Sequence, residues 1–311
     1  MLFFPIFQKL LIIYLNILVG FIAGKALKIS STDIAKIIFY IATPFVAFQG
    51  ILKVELEEEI LLLPLIIFII ACFMASIFYL ITRRLYSDFS KNILSFTAGN
   101  GNLGFVGLPL VTLVTNNNNY MIGTYITAML GITIYENTLG FIIASKGDTT
   151  SNTIGCFKRL LKLPILYAFA LGCILNINGI NFYNLPDNII EYLHIMQGCY
   201  LTLGILIIGI ALSQIETLSF DFKFTGMAFL AKFVCWPLIM KTLVTLDKLI
   251  FNIYDADIHK ILLMLSIAPI ATNTVTLATI LKIHPEKAAT TVLLGACFAL
   301  VYMPLMIQYF V

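Results

Sequence analysis

Long runs of apolar residues, separated by short polar segments, make up most of the chain. Each run is close to the roughly 20 residues that a helix needs to cross the hydrocarbon core of a bilayer. A short interfacial turn of helix is also predicted at 187–194, after Pro186. The pattern therefore predicts an all-α membrane protein with ten transmembrane helices, numbered spans 1 to 10: 3–24, 34–52, 60–82, 92–114, 120–145, 160–177, 195–213, 224–246, 260–281 and 288–310.

Span 4 contains a polar, glycine-rich interruption. Glycine weakens a helix, proline removes a backbone hydrogen bond, and side-chain amides need partners in an apolar medium. Such backbone is tolerated at membrane depth only where protein buries it or where it lines a wet cavity. A broken helix near the bilayer midplane often marks the binding site of a transporter. The residues of the interruption are Gly99, Asn100, Gly101, Asn102, Gly104, Gly107 and Pro109.

Composition supports a polytopic membrane protein. Of the 311 residues, 60% are hydrophobic and 11% are charged, whereas soluble domains carry about 25% charged residues. The net charge is only +3 and the sequence has no run of basic residues. We therefore expect the lipid bilayer as a partner and no binding of nucleic acid. The six cysteines stand singly, and no histidine is followed by a second ligand three or four positions later. We therefore expect no metal site and no cofactor.

Basic residues predict the orientation of the spans. Twelve lysines and arginines lie on one side of the membrane in this arrangement, and four lie on the other side. Because basic residues are enriched on the cytoplasmic side, the side with twelve is predicted to be cytoplasmic and both termini to lie outside. The acidic residues Asp247, Asp255 and Asp257 then lie outside, where we expect them to be solvated. Lys232 and Lys241 lie within span 8, and both are expected to snorkel to an interface.

The spans divide into two halves of five around the longest cytoplasmic linker. The predicted repeats are 1–146 and 160–311, with the linker at 147–159. An odd number of spans in each half gives the halves opposite orientations, as in an inverted repeat. Span 9, the fourth span of the second half, is also interrupted. It contains Pro269 and the polar residues Thr272, Asn273, Thr274, Thr276 and Thr279.

These two spans resemble those of the auxin efflux carrier family, within the superfamily of bile-acid/sodium symporter-like transporters. The family pattern in span 4, Asn-x-Gly-Phe-x-Gly-x-Pro, matches residues 102–109. The pair Ala268-Pro269 followed by Asn273 resembles span 9 of the family, and Pro44 matches a proline in span 2. Two features differ: the proline that many members have in span 7 is missing, and the linker is short. The chain is therefore similar to the compact bacterial carriers rather than to plant members.

The resemblance implies a fold in two parts. Spans 1, 2, 6 and 7 would form a scaffold, and spans 3–5 and 8–10 a transport core in which broken helices 4 and 9 cross. It also implies malonate, malate or related carboxylates as substrates and a bacterial inner membrane as the location. Gly20 and Gly24 of span 1 fit a close helix contact, within the scaffold or across a homodimer.

The two interruptions are the candidate site for a small organic anion. The N-terminal end of a half-helix carries partial positive charge and favours a carboxylate. Asparagine and threonine side chains add hydrogen-bonding groups without requiring an arginine. The candidate substrate-binding residues are Asn100, Gly101, Asn102, Gly104 and Pro109 from span 4, and Pro269, Thr272, Asn273 and Thr274 from span 9.

Glu136 is the only carboxylate within the ten spans, and it neighbours Asn137. A buried acid within a membrane is costly and is by default a functional candidate, here as a carrier of the coupling proton. A structural, hydrogen-bonded role is the alternative. Lys232 could counter the charge of the substrate or pair with Glu136. Glu136, Asn137 and Lys232 are thus the candidates for ion coupling.

The sequence therefore predicts a secondary transporter of organic anions, with the proton as the first candidate for the coupling ion, and no enzyme. A sodium-coupled symporter of the bile-acid type is the first alternative, because unwound carbonyls and hydroxyls can also hold sodium. A membrane ligand sensor that does not transport is the second. No nucleotide-binding loop of the Gly-x-x-x-x-Gly-Lys-Ser/Thr type is present in the sequence.

Overall fold

A computed structural model describes residues 3–145, 161–215 and 219–310. These residues form helices and connecting turns, without a β-strand among them. The helices of the first half are α1 (Phe3–Leu27), α2 (Ser31–Leu52), α3 (Glu58–Thr82), α4 (Ser90–Ala98), α5 (a π-helical turn at Leu103–Gly107 continued by Leu108–Val114), α6 (Asn119–Asn137) and α7 (Leu139–Ala144). Those of the second half are α8 (Pro164–Ile177), α9 (Asp187–Ser213), α10 (Phe222–Phe251), α11 (Ala256–Ser266), α12 (Asn273–Leu281) and α13 (Pro285–Phe310).

Seven helical segments in the described part of the chain are long and apolar enough to cross a membrane. They are α1, α2, α3, α6 with α7, α9, α10 and α13, whereas α8 is a shorter apolar helix. Their outward faces carry large apolar side chains such as Ile12 on α1 and Leu249 on α10. These exposed side chains are the ones that a bilayer would cover. The chain is therefore an all-helical protein with several membrane-spanning helices.

The two polar interruptions fall between helices. In the first, α4 ends at Ala98 and α5 begins at Leu103; in the second, α11 ends at Ser266 and α12 begins at Asn273. The predicted interfacial turn at 187–194 is wrong as a separate element, since these residues form the first two turns of α9 directly after Pro186. The predicted linker at 147–159 lies outside the described residues.

Close helix packing accounts for two of the conspicuous glycines. Helix α1 packs along α9, and a Cβ atom added to Gly20 would overlap the backbone carbonyl of Leu206. A Cβ atom on Gly209 would likewise overlap the carbonyl of Ile17. The absence of side chains at these positions lets the two backbones approach, as small residues do between membrane helices. The close contact predicted for span 1 is thus made within the chain.

Asp247 contradicts the expectation of a solvated acidic loop. It lies in the last turn of α10, where the side chain is buried. Its carboxylate accepts hydrogen bonds from the backbone N–H groups of Ile253 (3.1 Å) and Tyr254 (3.0 Å), and Nε2 of His259 lies 2.8 Å from Oδ2. Asp247 therefore connects the end of α10 to α11, because it satisfies backbone donors in the tight turn between them.

Candidate functional site

The two interruptions are in direct contact. The backbone N–H of Asn102 donates a hydrogen bond to the carbonyl oxygen of Pro269 at 2.8 Å. A second link joins the adjacent helices, where Oγ1 of Thr97 on α4 lies 3.3 Å from Oγ1 of Thr274 on α12. Segments that lie more than 160 positions apart in the chain thus form one polar region inside the protein.

Glu136 of α6 links both interruptions through one oxygen atom. Its Oε1 accepts a hydrogen bond from Nδ2 of Asn100 at 2.7 Å and another from Nδ2 of Asn273 at 2.8 Å. Two amide donors from separate segments of the chain thus converge on one carboxyl oxygen. The side chain of Glu136 is only half-buried and borders a cavity. Glu136 therefore contacts both interruptions and the cavity at once.

The helices that follow the interruptions begin with available donors. The side chain of Asn102 caps α5, since its Oδ1 accepts a hydrogen bond from the N–H of Phe105 at 3.2 Å. Its Nδ2 group makes no hydrogen bond with a described residue. Helix α12 begins at Asn273 without a side-chain cap. The N-terminal turns of both helices thus bring partial positive charge to the same region.

A cavity of about 460 Å³ lies against this region. Five of the predicted substrate-binding residues line it, as do both predicted coupling residues of α6. Aromatic and aliphatic side chains form the rest of the wall, among them Phe39, Phe105 and Tyr200. The predicted residues that line the cavity are Gly101, Asn102, Gly104, Thr272, Asn273, Glu136 and Asn137.

The other predicted binding residues do not line the cavity but support its wall. Asn100 is fully buried; besides the bond to Glu136, its Oδ1 accepts from the N–H of Gly101 at 2.7 Å. Pro269 supplies the carbonyl that holds Asn102, and Thr274 contacts Thr97. Pro109 lies in the first turn of the α-helical part of α5, where a missing N–H costs little.

Lys232 is buried in α10, with a side chain only 1% exposed. The expectation that it snorkels to an interface is therefore wrong. Its Nζ lies 4.7 Å from the centre of the Trp236 ring and against Gly101, where an added Cβ would overlap it. Lys232 makes no hydrogen bond or ion pair with any described residue, Glu136 included. The amino group of Lys232 thus lies directly behind the first interruption without an acceptor among the described residues.

Three features of the site were not predicted. Helix α6 ends at Asn137, and Thr138 adopts a non-helical conformation before α7 begins, so that a bend directly follows Glu136. The indole N–H of Trp236 donates to the carbonyl oxygen of Ala98 at 2.8 Å and satisfies the end of α4. Tyr200 reaches the cavity from α9. Sequence signals existed in the Asn137-Thr138 pair and in the single tryptophan, but none marked Tyr200.

No metal site is apparent in the parts of the chain that the structure covers: they hold no group of three His, Cys, Asp or Glu side chains that could bind an ion. The polar groups around the cavity are amides, hydroxyls, backbone N–H groups and one carboxylate. This chemistry suits the reversible binding of a small polar or charged solute.

Comparisons with known proteins agree with a role in transport. The sequence model of a family described as membrane transport protein matches residues 5–307. The chain is 26% identical to an uncharacterized transporter of Methanocaldococcus jannaschii over an alignment 311 positions long, which covers 95% of this chain and 96% of that protein. It is also 25% identical to an uncharacterized transporter of Methanothermobacter thermautotrophicus over 176 residues, covering 53% of this chain and 57% of the other.

Proposed function

Because the chain belongs to the auxin efflux carrier family of membrane transport proteins, we propose that this membrane transporter moves small organic anions by alternating access. The substrate would bind where the two interruptions meet, and malonate, malate and related carboxylates are the proposed substrates. Transport would be driven by secondary coupling and not by a chemical reaction.

The contact between Asn102 and Pro269 is the observation that carries this proposal. It brings the N-terminal ends of α5 and α12 to one cavity. An anion there would meet the partial positive charge of two helix ends and the free amide group of Asn102. No arginine is needed, and the threonine and asparagine side chains of the second interruption can complete the hydrogen bonding of a carboxylate.

We further propose that Glu136 carries the coupling proton. An ionised Glu136 would repel an anion in the cavity that it borders, whereas a protonated Glu136 would not. Proton binding would also weaken the acceptor that holds Asn100 and Asn273. Proton and anion would therefore favour each other's binding, as linkage between two sites requires. Asn137 lies beside it on the cavity wall, and Lys232 would offset the charge of the bound anion through the first interruption.

The architecture proposed from the sequence fits this site. The interruptions fall in the fourth span of each predicted half, which supports a 5+5 inverted repeat with crossing helices 4 and 9. The packing of α1 on α9 supports a scaffold apart from a transport core, and a homodimer through the scaffold is part of the proposal. We propose a plasma-membrane location, in a bacterial-type inner membrane, with both termini outside.

Uptake into proteoliposomes tests the proposal. Purified protein would be reconstituted, labelled malonate or malate added outside, and a proton gradient imposed with sodium replaced by choline. We expect uptake that depends on the gradient and is lost in Asn102→Ala. Asn176→Ala is a matched control, because the amide of Asn176 donates to the carbonyls of Ile51 and Val54 away from the cavity. Uptake that requires sodium would instead favour the sodium-coupled alternative, and no uptake of either anion under both conditions would contradict the proposed substrates.

A further inference from the structure

Tyr200 is a buried tyrosine whose hydroxyl group has no hydrogen-bond partner among the described residues. Its side chain is 3% exposed. Two other buried tyrosines that contact the first interruption or its flanking helix differ: Tyr125 donates to the carbonyl of Leu103 at 3.1 Å, and Tyr135 donates to the carbonyl of Phe96 at 3.0 Å. Polar groups of buried side chains nearly always bond to the protein or to another molecule, so this hydroxyl group calls for an explanation.

The position of this hydroxyl group gives the explanation. Tyr200 lines the cavity, and its hydroxyl oxygen occupies the space that a side chain at Gly104 would fill. Its ring packs against Phe105, with the ring centroids 5.6 Å apart. The ring is thus held in place by an aromatic contact while the hydroxyl group is directed at the first interruption. The hydroxyl group fits there because Gly104 has no side chain.

We propose that Tyr200 is a substrate-binding residue whose hydroxyl group donates a hydrogen bond to the bound anion. This inference rests on the proposed function and extends the site beyond the two interruptions to α9. The donor would be complementary to a carboxylate oxygen, as are the amide of Asn102 and the helix ends. The substrate would then supply the acceptor that the described residues do not offer to this hydroxyl group.

A substrate contact on α9 also has a consequence for alternating access. Helix α9 belongs to the proposed scaffold, whereas Gly104 and Phe105 belong to the proposed core. The anion would be held between the two parts in the conformation described here, and it would lose the Tyr200 contact if the core moved past α9. Tyr200 would therefore favour anion binding in one conformation over the other.

Substitution by phenylalanine tests this assignment, because it removes only the hydroxyl group. Melting temperatures of the purified full-length protein in detergent would be measured without ligand and with increasing malonate or malate as choline salts. We expect Tyr200→Phe to melt no lower than the wild type without ligand. The anion concentration for half-maximal stabilisation should rise about tenfold or more, as expected for a lost hydrogen bond to a charged group.

Tyr302→Phe is the matched control. The hydroxyl group of Tyr302 donates to the carbonyl of Phe233 at 2.8 Å and does not line the cavity, so its loss should lower the melting temperature and leave the half-maximal concentration unchanged. A Tyr200→Phe variant that melts lower without ligand, or that has the same half-maximal anion concentration as the wild type, would overturn the assignment of Tyr200 but not the proposed function. A wild type that neither anion stabilises would contradict the proposed function as well.

Discussion

Glu136 and Asn273 are joined by a hydrogen bond of 2.8 Å although 137 positions separate them in the chain. The same oxygen of Glu136 accepts from Asn100, on the other interruption. One titratable side chain thus connects two breaks that lie in separate halves of the protein. A change in its charge acts on both at once, which is the physical basis for the coupling that we propose.

Glu136→Gln should separate proton coupling from transport. The amide oxygen of glutamine still accepts a hydrogen bond, but the side chain no longer binds a proton near neutral pH. We expect gradient-driven accumulation of malate in proteoliposomes to be abolished, while exchange of internal for external malate continues. Normal accumulation by the variant under an imposed proton gradient would contradict the role of Glu136.

Gly104→Ala should block the conformation described here, and Tyr200→Phe should relieve the block. The added Cβ would overlap the Tyr200 hydroxyl oxygen but would lie 3.3 Å from the ring carbon that bears it, a tight contact that small shifts can absorb. We expect Gly104→Ala alone to lower the melting temperature and to abolish uptake, and the double variant to recover the melting temperature in large part. Equal melting temperatures for the single and double variants would contradict this packing.

Lys232→Met should stabilise the protein and impair its function. The amino group of Lys232 is buried and has no acceptor among the described residues, and replacing it by an apolar side chain of similar length removes the cost of its desolvation. We expect a melting temperature a few degrees higher in detergent and malate uptake lower by about tenfold or more, since the charge that offsets the anion is lost. Lys241→Met serves as the control, because the ammonium of Lys241 binds the exposed hydroxyl group of Tyr309. Unchanged uptake by Lys232→Met would exclude a role for its charge.

Asp247→Ala should destabilise the protein without a direct effect on the cavity. The substitution removes the acceptor of two backbone N–H groups and of His259. We expect the free energy of unfolding in detergent to fall by about 2–3 kcal/mol. Asp257→Ala should have little effect, because its ion pair with Lys260 is about 40% exposed on both sides. Similar decreases in the free energy of unfolding for the two variants would show that the buried carboxylate of Asp247 stabilises the protein no more than the exposed one of Asp257.

The sequence was most informative where local chemistry conflicted with a membrane helix. Glycine, asparagine and proline within an apolar run indicate an interruption of a membrane helix. In the structure both predicted interruptions lie between helices. Glu136 stood out for the same reason, as a charge in an apolar run. The family resemblance is confirmed over nearly the whole chain.

Features that depend on packing between distant segments could not be predicted. Tyr200 lies in an unremarkable apolar run, and only the fold brings its hydroxyl group to Gly104. Lys232 was expected to snorkel because a long side chain usually can, but its helix packs so that the ammonium group faces Trp236 and Gly101. Asp247 was assigned to a loop because helix ends are hard to place from composition, and α10 extends five residues beyond the predicted end at 246.

Counterflow of malate tests the central claim, an anion site where the two interruptions meet, most directly. Proteoliposomes would be loaded with unlabelled malate or malonate and diluted into a trace of labelled malate without any ion gradient. Transient accumulation of label should occur with the wild type and with Asn176→Ala, and should be absent with Asn102→Ala and Asn273→Ala. Accumulation that persists in both cavity variants would show that the anion binds elsewhere and would contradict the site.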